Sequence, residues 1–309
     1  MKIALFIWGV FLIMSIDAKT ARVDFDSLWN YDNPAATEAK FRELLPDAKS
    51  MGDTGYYAEL LTQIARTQGL QQQFDFAHAT LDTVQGMLRA AGEKAHVRYL
   101  LERGRAFNSD GKAVEAIPLF TEAWETALKE HLDFYAVDAA HMLGIVAPSD
   151  QRMAWNEKAL ELAEKSSDPR ARKWQGSLYN NIGWTYFDQK KYYTALDMFQ
   201  KAVVSRREQG APIPLRVAEW CLAKTYRMLG RVDEALIIQQ RLLKEWQGAG
   251  EDNDGYVYEE LGECLMTLNR PEEAVPYFAK AYELLSTDIW LSRDEPARLQ
   301  RLKELGRVK

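Results

Sequence analysis

Apolar and small residues recur along this chain at the spacing of a helix face. Leu100, Gly104 and Phe107 lie at i, i+4 and i+7, and after a polar break at 109–111 the same spacing resumes from Ala116. This periodicity predicts two amphipathic helices, and the break predicts a turn between them. The local unit is therefore a helical hairpin.

The hairpin recurs about every 39 or 40 residues. One position of each first helix holds a small residue, and the position 12 residues later, in the second helix, usually holds alanine. The first series is Ala65, Gly104, Gly144, Gly183, Ala223 and Gly262, and the second is Ala77, Ala116, Ala195, Ala235 and Ala274. The two series keep phase over about 200 residues, which indicates an internal repeat.

The small residues are predicted to mark the crossing of the two helices in a hairpin. Glycine inside a helix costs about 0.5–1 kcal/mol relative to alanine, so its recurrence at one phase indicates a compensating gain in packing. We expect Gly183 and Ala195 to let the helix backbones approach, with Tyr186, Tyr192 and Phe199 filling the space around the crossing.

The repeated residues resemble those of the tetratricopeptide repeat family. The family pattern Trp/Tyr-x2-Leu-Gly-x2-Tyr, then Ala-x3-Phe-x2-Ala, is matched almost fully by residues 179–202 and closely by 258–281. Two other units match well, with Arg103 and Gln239 as departures. The resemblance covers about residues 54–286 and implies an all-α fold, an α-solenoid of stacked helical hairpins wound as a right-handed superhelix.

Capping helices are predicted at both ends of the repeats, as solenoids require. Asn33 followed by Pro34 is typical of a helix start, and Leu299, Leu302 and Leu305 lie on one face of an amphipathic C-terminal helix. The predicted boundaries are 1–18 for a signal peptide, 19–53 for the N-terminal segment and capping helix, 54–91, 92–130, 131–168, 169–210, 211–250 and 251–286 for six repeats, and 287–309 for the C-terminal capping helix.

The N-terminus has the pattern of an export signal. Lys2 precedes a run of 14 uncharged, mostly apolar residues, 3–16, and then Asp17 and Ala18. At about 1.5 Å per residue this run is too short to cross a hydrocarbon core of about 30 Å. We predict cleavage after Ala18 and a periplasmic or secreted protein; the alternative is a membrane anchor formed by an uncleaved N-terminus.

Composition and motifs favour a non-catalytic protein. The net charge of −6 does not suggest a nucleic-acid-binding surface, and no phosphate-loop, zinc-ligand or nucleophile motif occurs. We therefore expect no enzyme activity, no metal and no cofactor. Cys221 and Cys264 are expected to be buried thiols rather than a disulfide. The pair Glu259-Glu260 is expected at a helix start or on a solvated face.

The third repeat is irregular. Pro148 is predicted to shorten its first helix, and Trp155 or Asn156 stands where the other repeats have alanine. Two explanations remain open at this point: tolerated drift of the repeat, or a local change of pitch that opens a pocket.

The resemblance also implies a concave groove lined by the first helices. Residues carried over to its inner face converge in the fourth and fifth repeats, where aromatic, amide and cationic side chains could hold a peptide. The predicted peptide-binding residues are Asn180, Trp184, Phe187, Trp220, Lys224 and Arg227, with His141 and Arg105 earlier in the groove. The alternatives are that the two tryptophans pack between repeats and that Arg227 pairs with a neighbouring acid.

Three functions are compatible with this pattern. The first is a non-catalytic scaffold that binds a peptide or protein segment in the groove, with a partner that the sequence does not identify. The second is a structural self-assembly module of an envelope complex. The third is a ligand-binding sensor that uses a pocket near His141 and Trp155.

Overall fold

The computed structural model of the chain describes residues 22–249 and 254–309. Within these ranges the regular structure is helical and there is no β-strand, which confirms the predicted all-α fold. None of the helices there combines the length and apolarity needed to cross a membrane. The predicted signal peptide, residues 1–18, lies outside the described residues.

The chain divides into two compact units, the first ending at Glu102 and the second beginning at Arg103. The first unit contains a 3-10 turn, Phe25–Leu28, and the helices α1 (Pro34–Glu43), α2 (Leu45–Ser50), α3 (Thr54–Leu70), α4 (Phe74–Gln85), α5 (Leu88–Ala91) and the beginning of α6 (Glu93–Ser109).

The second unit takes up the end of α6 and the rest of the chain. Its helices are α7 (Ala113–Lys129), α8 (Asp133–Val146), α9 (Ser149–Lys165), α10 (Pro169–Arg172), α11 (Gln175–Asp188), α12 (Tyr192–Glu208), α13 (Pro212–Met228), α14 (Val232–Gly248), α15 (Gly255–Thr267), α16 (Pro271–Leu285), α17 (Ile289–Asp294) and α18 (Pro296–Leu305).

Consecutive helices give six pairs in the described ranges, consistent with the predicted repeat count. We number them repeat one to repeat six: α3–α4, α6–α7, α8–α9, α11–α12, α13–α14 and α15–α16. In the second unit, the second helix of repeats two to five also packs against the first helix of the next repeat.

Helix starts follow the sequence signals at the ends of the chain. The Asn33 side-chain oxygen accepts a hydrogen bond from the Ala36 N–H at 3.0 Å, which confirms the predicted start of α1. At the other end, Leu299 and Leu302 of α18 are buried in the cluster formed by repeat six. Helix α18 thus buries an apolar side, as its leucine spacing predicts.

The glycines at helix crossings face phenylalanine rings. A Cβ built on Gly183 would lie 2.6 Å from Cε1 of Phe199, and the same relation holds for Gly104 with Phe120 and for Gly262 with Phe278. We expected Phe199 to fill space around this crossing, and its ring does so. Ala195 is buried in the same cluster, but it is the ring of Phe199 that lies against the glycine.

Repeats one, three and five depart from this arrangement. In repeat one the two positions hold Ala65 and Leu81. In repeat three α8 ends at Val146, before Pro148 as predicted, and the Asn156 amide lies 2.7 Å from the Cβ position of Gly144. In repeat five the glycine and phenylalanine positions are occupied by Ala223 and Gln239, both fully buried.

Candidate functional site

Helix α13 carries an exposed apolar stripe. Pro212 is its first residue, a position at which proline favours the helical backbone. Ile213, Val217, Trp220 and Met228 lie at i, i+4, i+7 and i+15 and so share one face. Ile213, Val217 and Met228 are 43%, 45% and 38% exposed, and Trp220 is half-buried. We call these four residues the α13 stripe.

Trp220 also belongs to a row of aromatic side chains from three consecutive repeats. Its ring centroid lies 6.0 Å from that of Trp184 in α11 and 5.9 Å from that of Tyr256 in α15. The Trp220 Nε1–H donates to the Tyr256 carbonyl oxygen at 3.1 Å, and Phe187 extends the row at 5.0 Å from Trp184. These rings pack on the core and remain partly exposed.

Glu260 of α15 binds two cations of α13. Lys224 Nζ lies 2.6 Å from Oε1 of Glu260, and Arg227 Nε lies 2.8 Å from Oε2. Burial by itself raises the pKa of Glu260, but the charges of Lys224 and Arg227 outweigh it, so the pKa lies below its ordinary value. The alternative expected for Arg227, a pair with a neighbouring acid, is the arrangement observed.

The location of Glu259 and Glu260 corrects our expectation of a helix start or a solvated face. Both carboxylates are buried because cations from neighbouring elements reach them: Lys224 and Arg227 for Glu260, and Arg298 of α18 for Glu259. These partners lie one repeat away, so the local sequence around the glutamates carries no sign of them.

Asn180 is half-buried, and both cysteines are buried in the stack. The Cys221 thiol donates to Oδ1 of Asn180 at 3.3 Å, which ties α13 to α11. Cys221 and Cys264 are both buried and unbridged, as predicted. Burial raises the pKa of each thiol to about 12, so neither has the thiolate character of a reactive cysteine.

His141 and Arg105 belong to a separate polar cluster formed by residues of repeats two, three and four. Arg105 binds both carboxylate oxygens of Asp138. His141 lies against Trp174, with ring centroids 4.8 Å apart, and its Nδ1 lies 3.1 Å from Nδ2 of Asn181. Burial lowers the pKa of His141 to about 4; Asp138 opposes this shift and Arg105 adds to it.

The predicted site residues therefore fall into two groups. Five of them meet around α13, Asn180 reaches the same helix through Cys221, and the remaining two occupy the polar cluster just described. The sequence analysis missed Ile213, Val217 and Met228. The i, i+4 spacing of Ile213 and Val217 on one helix could have indicated them. They were missed because the groove residues were assigned from only three positions of the family repeat, and none of these three residues occupies such a position.

A metal centre has no support in the described part of the chain. Residues 22–249 and 254–309 contain no group of three His, Cys, Asp or Glu side chains placed to hold an ion.

Comparison with known proteins identifies the repeat. Family profiles described as tetratricopeptide repeat match residues 176–208 and 215–287. No curated protein sequence matches the chain significantly. The fold is similar to the apo form of RapI, with a TM-score of 0.64, 12% identity, and coverage of 92% of this chain and 81% of that chain.

Two further solved structures share the fold. A chain of the APC/C hetero-tetramer Cut9–Hcn1 has a TM-score of 0.63 at 16% identity over 90% of this chain, which spans only 48% of that chain's length. A tetratricopeptide repeat protein from Parabacteroides merdae has a TM-score of 0.53 at 15% identity, covering 92% of this chain and 98% of its own. At these identities the likeness concerns the fold alone. With the repeated motif, the six helix pairs and the profiles that match residues 176–208 and 215–287, it supports a tetratricopeptide repeat protein.

Proposed function

We propose that this protein is a non-catalytic scaffold that holds an apolar segment of a peptide or protein partner on the first-helix face of repeats four to six. Tetratricopeptide repeats serve as protein-interaction scaffolds. The observation that carries the proposal is the α13 stripe, in which exposed Ile213 and Val217 continue into the aromatic row at Trp220. Partly exposed tryptophan is enriched at binding hot spots.

The charges around the stripe favour an apolar partner over an acidic one. Lys224 and Arg227 were candidates for holding a partner carboxylate, but Glu260 already binds both. A partner carboxylate would have to compete with a buried ion pair, and removing one member of such a pair is strongly unfavourable. The surface that α13 offers is therefore mainly apolar, and its two cations are already held by Glu260; Nζ of Lys224 lies 5.0 Å from the centroid of the Trp220 ring.

A matched pair of variants tests the binding surface. Phage-displayed random peptides are selected on the intact protein, and the selected peptides are titrated against Val217→Lys and Val204→Lys. Val217 and Val204 are similarly exposed, at 45% and 52%, but Val204 lies on the second helix α12.

We expect Val217→Lys to weaken peptide binding at least about tenfold, because a hydrated ammonium replaces buried apolar contact, and Val204→Lys to bind normally. Both variants should unfold at the same temperature as the wild type. Equal binding by the two variants would refute the location of the site. A concentration-dependent dimer in sedimentation, lost in Val217→Lys, would instead make a second copy of this chain the occupant of the stripe.

The proposal includes export. A leader cleaved after Ala18 would deliver the scaffold to the periplasm or the medium. Intact mass measurement of protein recovered from expressing cells should give a chain that begins at Lys19. A membrane-associated chain that still begins at Met1 would support the uncleaved anchor instead.

A further inference from the structure

Repeat five lacks the contact that joins the two helices in its neighbours. In repeats four and six, a glycine of the first helix accepts a phenylalanine ring of the second, Gly183 with Phe199 and Gly262 with Phe278. In repeat five the corresponding residues are Ala223 and Gln239. The departure affects both members of the pair: repeat five has a methyl group at the glycine position and an amide at the position of the ring.

The same helix pair contains buried polar atoms without partners. Nε2 and Oε1 of Gln239 and Nε1 of Trp246 are buried, and none has a hydrogen-bond partner among the described residues. Both side chains belong to α14. A buried polar group that makes no hydrogen bond destabilises the closed state, because it has lost water without replacement. Helix α14 is therefore held less firmly than its apolar contacts suggest.

Helix α13 is anchored to its other neighbours by polar contacts. Cys221 binds Asn180 of α11, and Lys224 and Arg227 bind Glu260 of α15. The polar contacts from α13 to α14 lie nearer the surface. In one of them, Nη2 of Arg241 lies 2.9 Å from Oε2 of Glu219, and the Arg241 side chain is 45% exposed. In another, Cζ of Arg216 lies 4.4 Å from the centroid of the Trp246 ring.

We propose that α14 detaches from α13 and α15 more readily than the second helices of repeats four and six detach from their neighbours, which makes repeat five the point at which the stack opens locally. Opening exposes the Gln239 amide and the Trp246 N–H to water and so restores their hydrogen bonds. The same movement in repeat four would expose the Phe199 ring. Local openings of this kind occur where the closed state gains least free energy.

The opening has a consequence for the binding surface, and this step rests on the proposed function. Helix α13, which bears the α13 stripe, stays attached to α11 and α15 when α14 leaves. Freed from one neighbour, it can turn to fit the partner segment. A scaffold with such a helix adapts its apolar face to different segments, at the expense of some affinity for each.

Hydrogen exchange of the whole chain, followed by mass spectrometry, tests the opening. We expect the amides of α14 to exchange faster than those of α12 and α16. The double variant Ala223→Gly/Gln239→Phe restores the glycine–phenylalanine pair and should slow exchange in α14 at least about tenfold, since the unpartnered amide is removed. The reverse transplant, Gly183→Ala/Phe199→Gln, should speed exchange in α12. Exchange in α14 no faster than in α12, or unchanged by the repair, would overturn the proposal.

If the double variant does not fold, a single substitution of similar volume still tests the proposal. Gln239→Leu removes both unpartnered amide atoms at similar volume and leaves Ala223 in place. It should slow exchange in α14 in the same direction. If Gln239→Leu folds and α14 exchanges as in the wild type, the unpartnered amide is not the cause of opening and the proposal fails.

The two cysteines give an independent test. Cys264 packs against Val232 and Ala235 of α14, whereas Cys221 packs against Ala195 and Phe199 of α12. Both thiols are buried, so alkylation of the native chain by iodoacetamide requires an opening. We expect Cys264 to be alkylated before Cys221, and Gln239→Leu to remove most of the difference. Alkylation of Cys221 first, or of both at one rate, would contradict the detachment of α14.

Binding of the peptides selected on the intact protein distinguishes a failure of the proposed opening from a failure of the proposed function. If the repaired variant exchanges slowly but binds a mixed set of selected peptides as the wild type does, the coupling to binding is wrong. If Val217→Lys fails to weaken binding while α14 still exchanges fastest, the proposed function is wrong and the opening stands.

Discussion

Gly183 and Phe199 form a close contact between the two helices of repeat four: a Cβ on the glycine would lie 2.6 Å from Cε1 of the ring. That distance is shorter than non-bonded carbon atoms tolerate. The ring can lie against the first helix only because position 183 has no side chain. The two helices are therefore spaced by one aromatic ring, and the same spacing recurs at Gly104 and Gly262.

Replacing Gly183 with alanine should destabilise the protein. The added methyl group forces Phe199 or the α12 backbone to move, and overpacking of this kind costs about 1–3 kcal/mol. Urea unfolding followed by circular dichroism measures the change. Gly69→Ala is the matched control, because nothing lies within 4 Å of its Cβ position in α3. There the alanine should leave stability unchanged or raise it by up to about 1 kcal/mol. Equal effects of the two substitutions would contradict the role of the glycine notch.

Glu260→Gln should destabilise the second unit. The substitution preserves the size of the side chain but leaves the charges of Lys224 and Arg227 without a counter-charge. Breaking a buried ion pair by removing one partner costs about 3–5 kcal/mol. Urea unfolding at neutral pH measures the loss. Glu234→Gln, which removes the partner of Arg231 at the surface, should produce no measurable change; a similar loss there would mean that burial of Glu260 is unimportant.

Stability should fall as the pH drops from about 6.5 to about 4, partly because of His141. Its pKa is about 4 in the folded chain and 6.5 in the unfolded chain, so within this window the unfolded state binds a proton that the folded state does not. The facing charges are Asp138, which favours the imidazolium, and Arg105, which opposes it. At 1.36 kcal/mol per pKa unit the loss approaches about 3 kcal/mol at the acid end.

The variant His141→Gln isolates this contribution. Glutamine does not titrate and keeps an acceptor for the Asn181 amide. Its unfolding free energy should depend less on pH between 7 and about 4.5 than that of the wild type. An identical pH dependence in the two proteins would show that His141 is not held neutral by burial.

Trp220→Phe should weaken the link between repeats five and six by about 1 kcal/mol. Phenylalanine keeps an aromatic ring beside Trp184 but cannot donate to the Tyr256 carbonyl, as Nε1–H of Trp220 does at 3.1 Å. Thermal unfolding measures the change. Peptide binding should be affected less than by Val217→Lys, because the exposed apolar surface is largely kept. A larger loss of binding than in Val217→Lys would mean that the indole N–H itself contacts the partner.

The sequence predicted which residues of the candidate site lie together but not which residues they contact. Trp184, Trp220 and Arg227 were identified as a group because a repeat places equivalent positions side by side. The partner of Arg227 was not identified, because Glu260 lies 33 residues further along the chain and belongs to the next repeat. The role of all eight predicted residues in peptide binding stays a prediction.

The sequence by itself determined the helix pairs, their period and the capping of α1 at Asn33. These depend on side-chain periodicity, turn residues and hydrogen bonds within a few positions, which are local properties of the chain. Only the tertiary structure decided which of the three aromatic residues expected at the crossing lies against Gly183, and that Glu260 pairs with both Lys224 and Arg227. Those outcomes depend on how side chains from separate helices share one volume and one set of charges, which spacing along the chain does not specify.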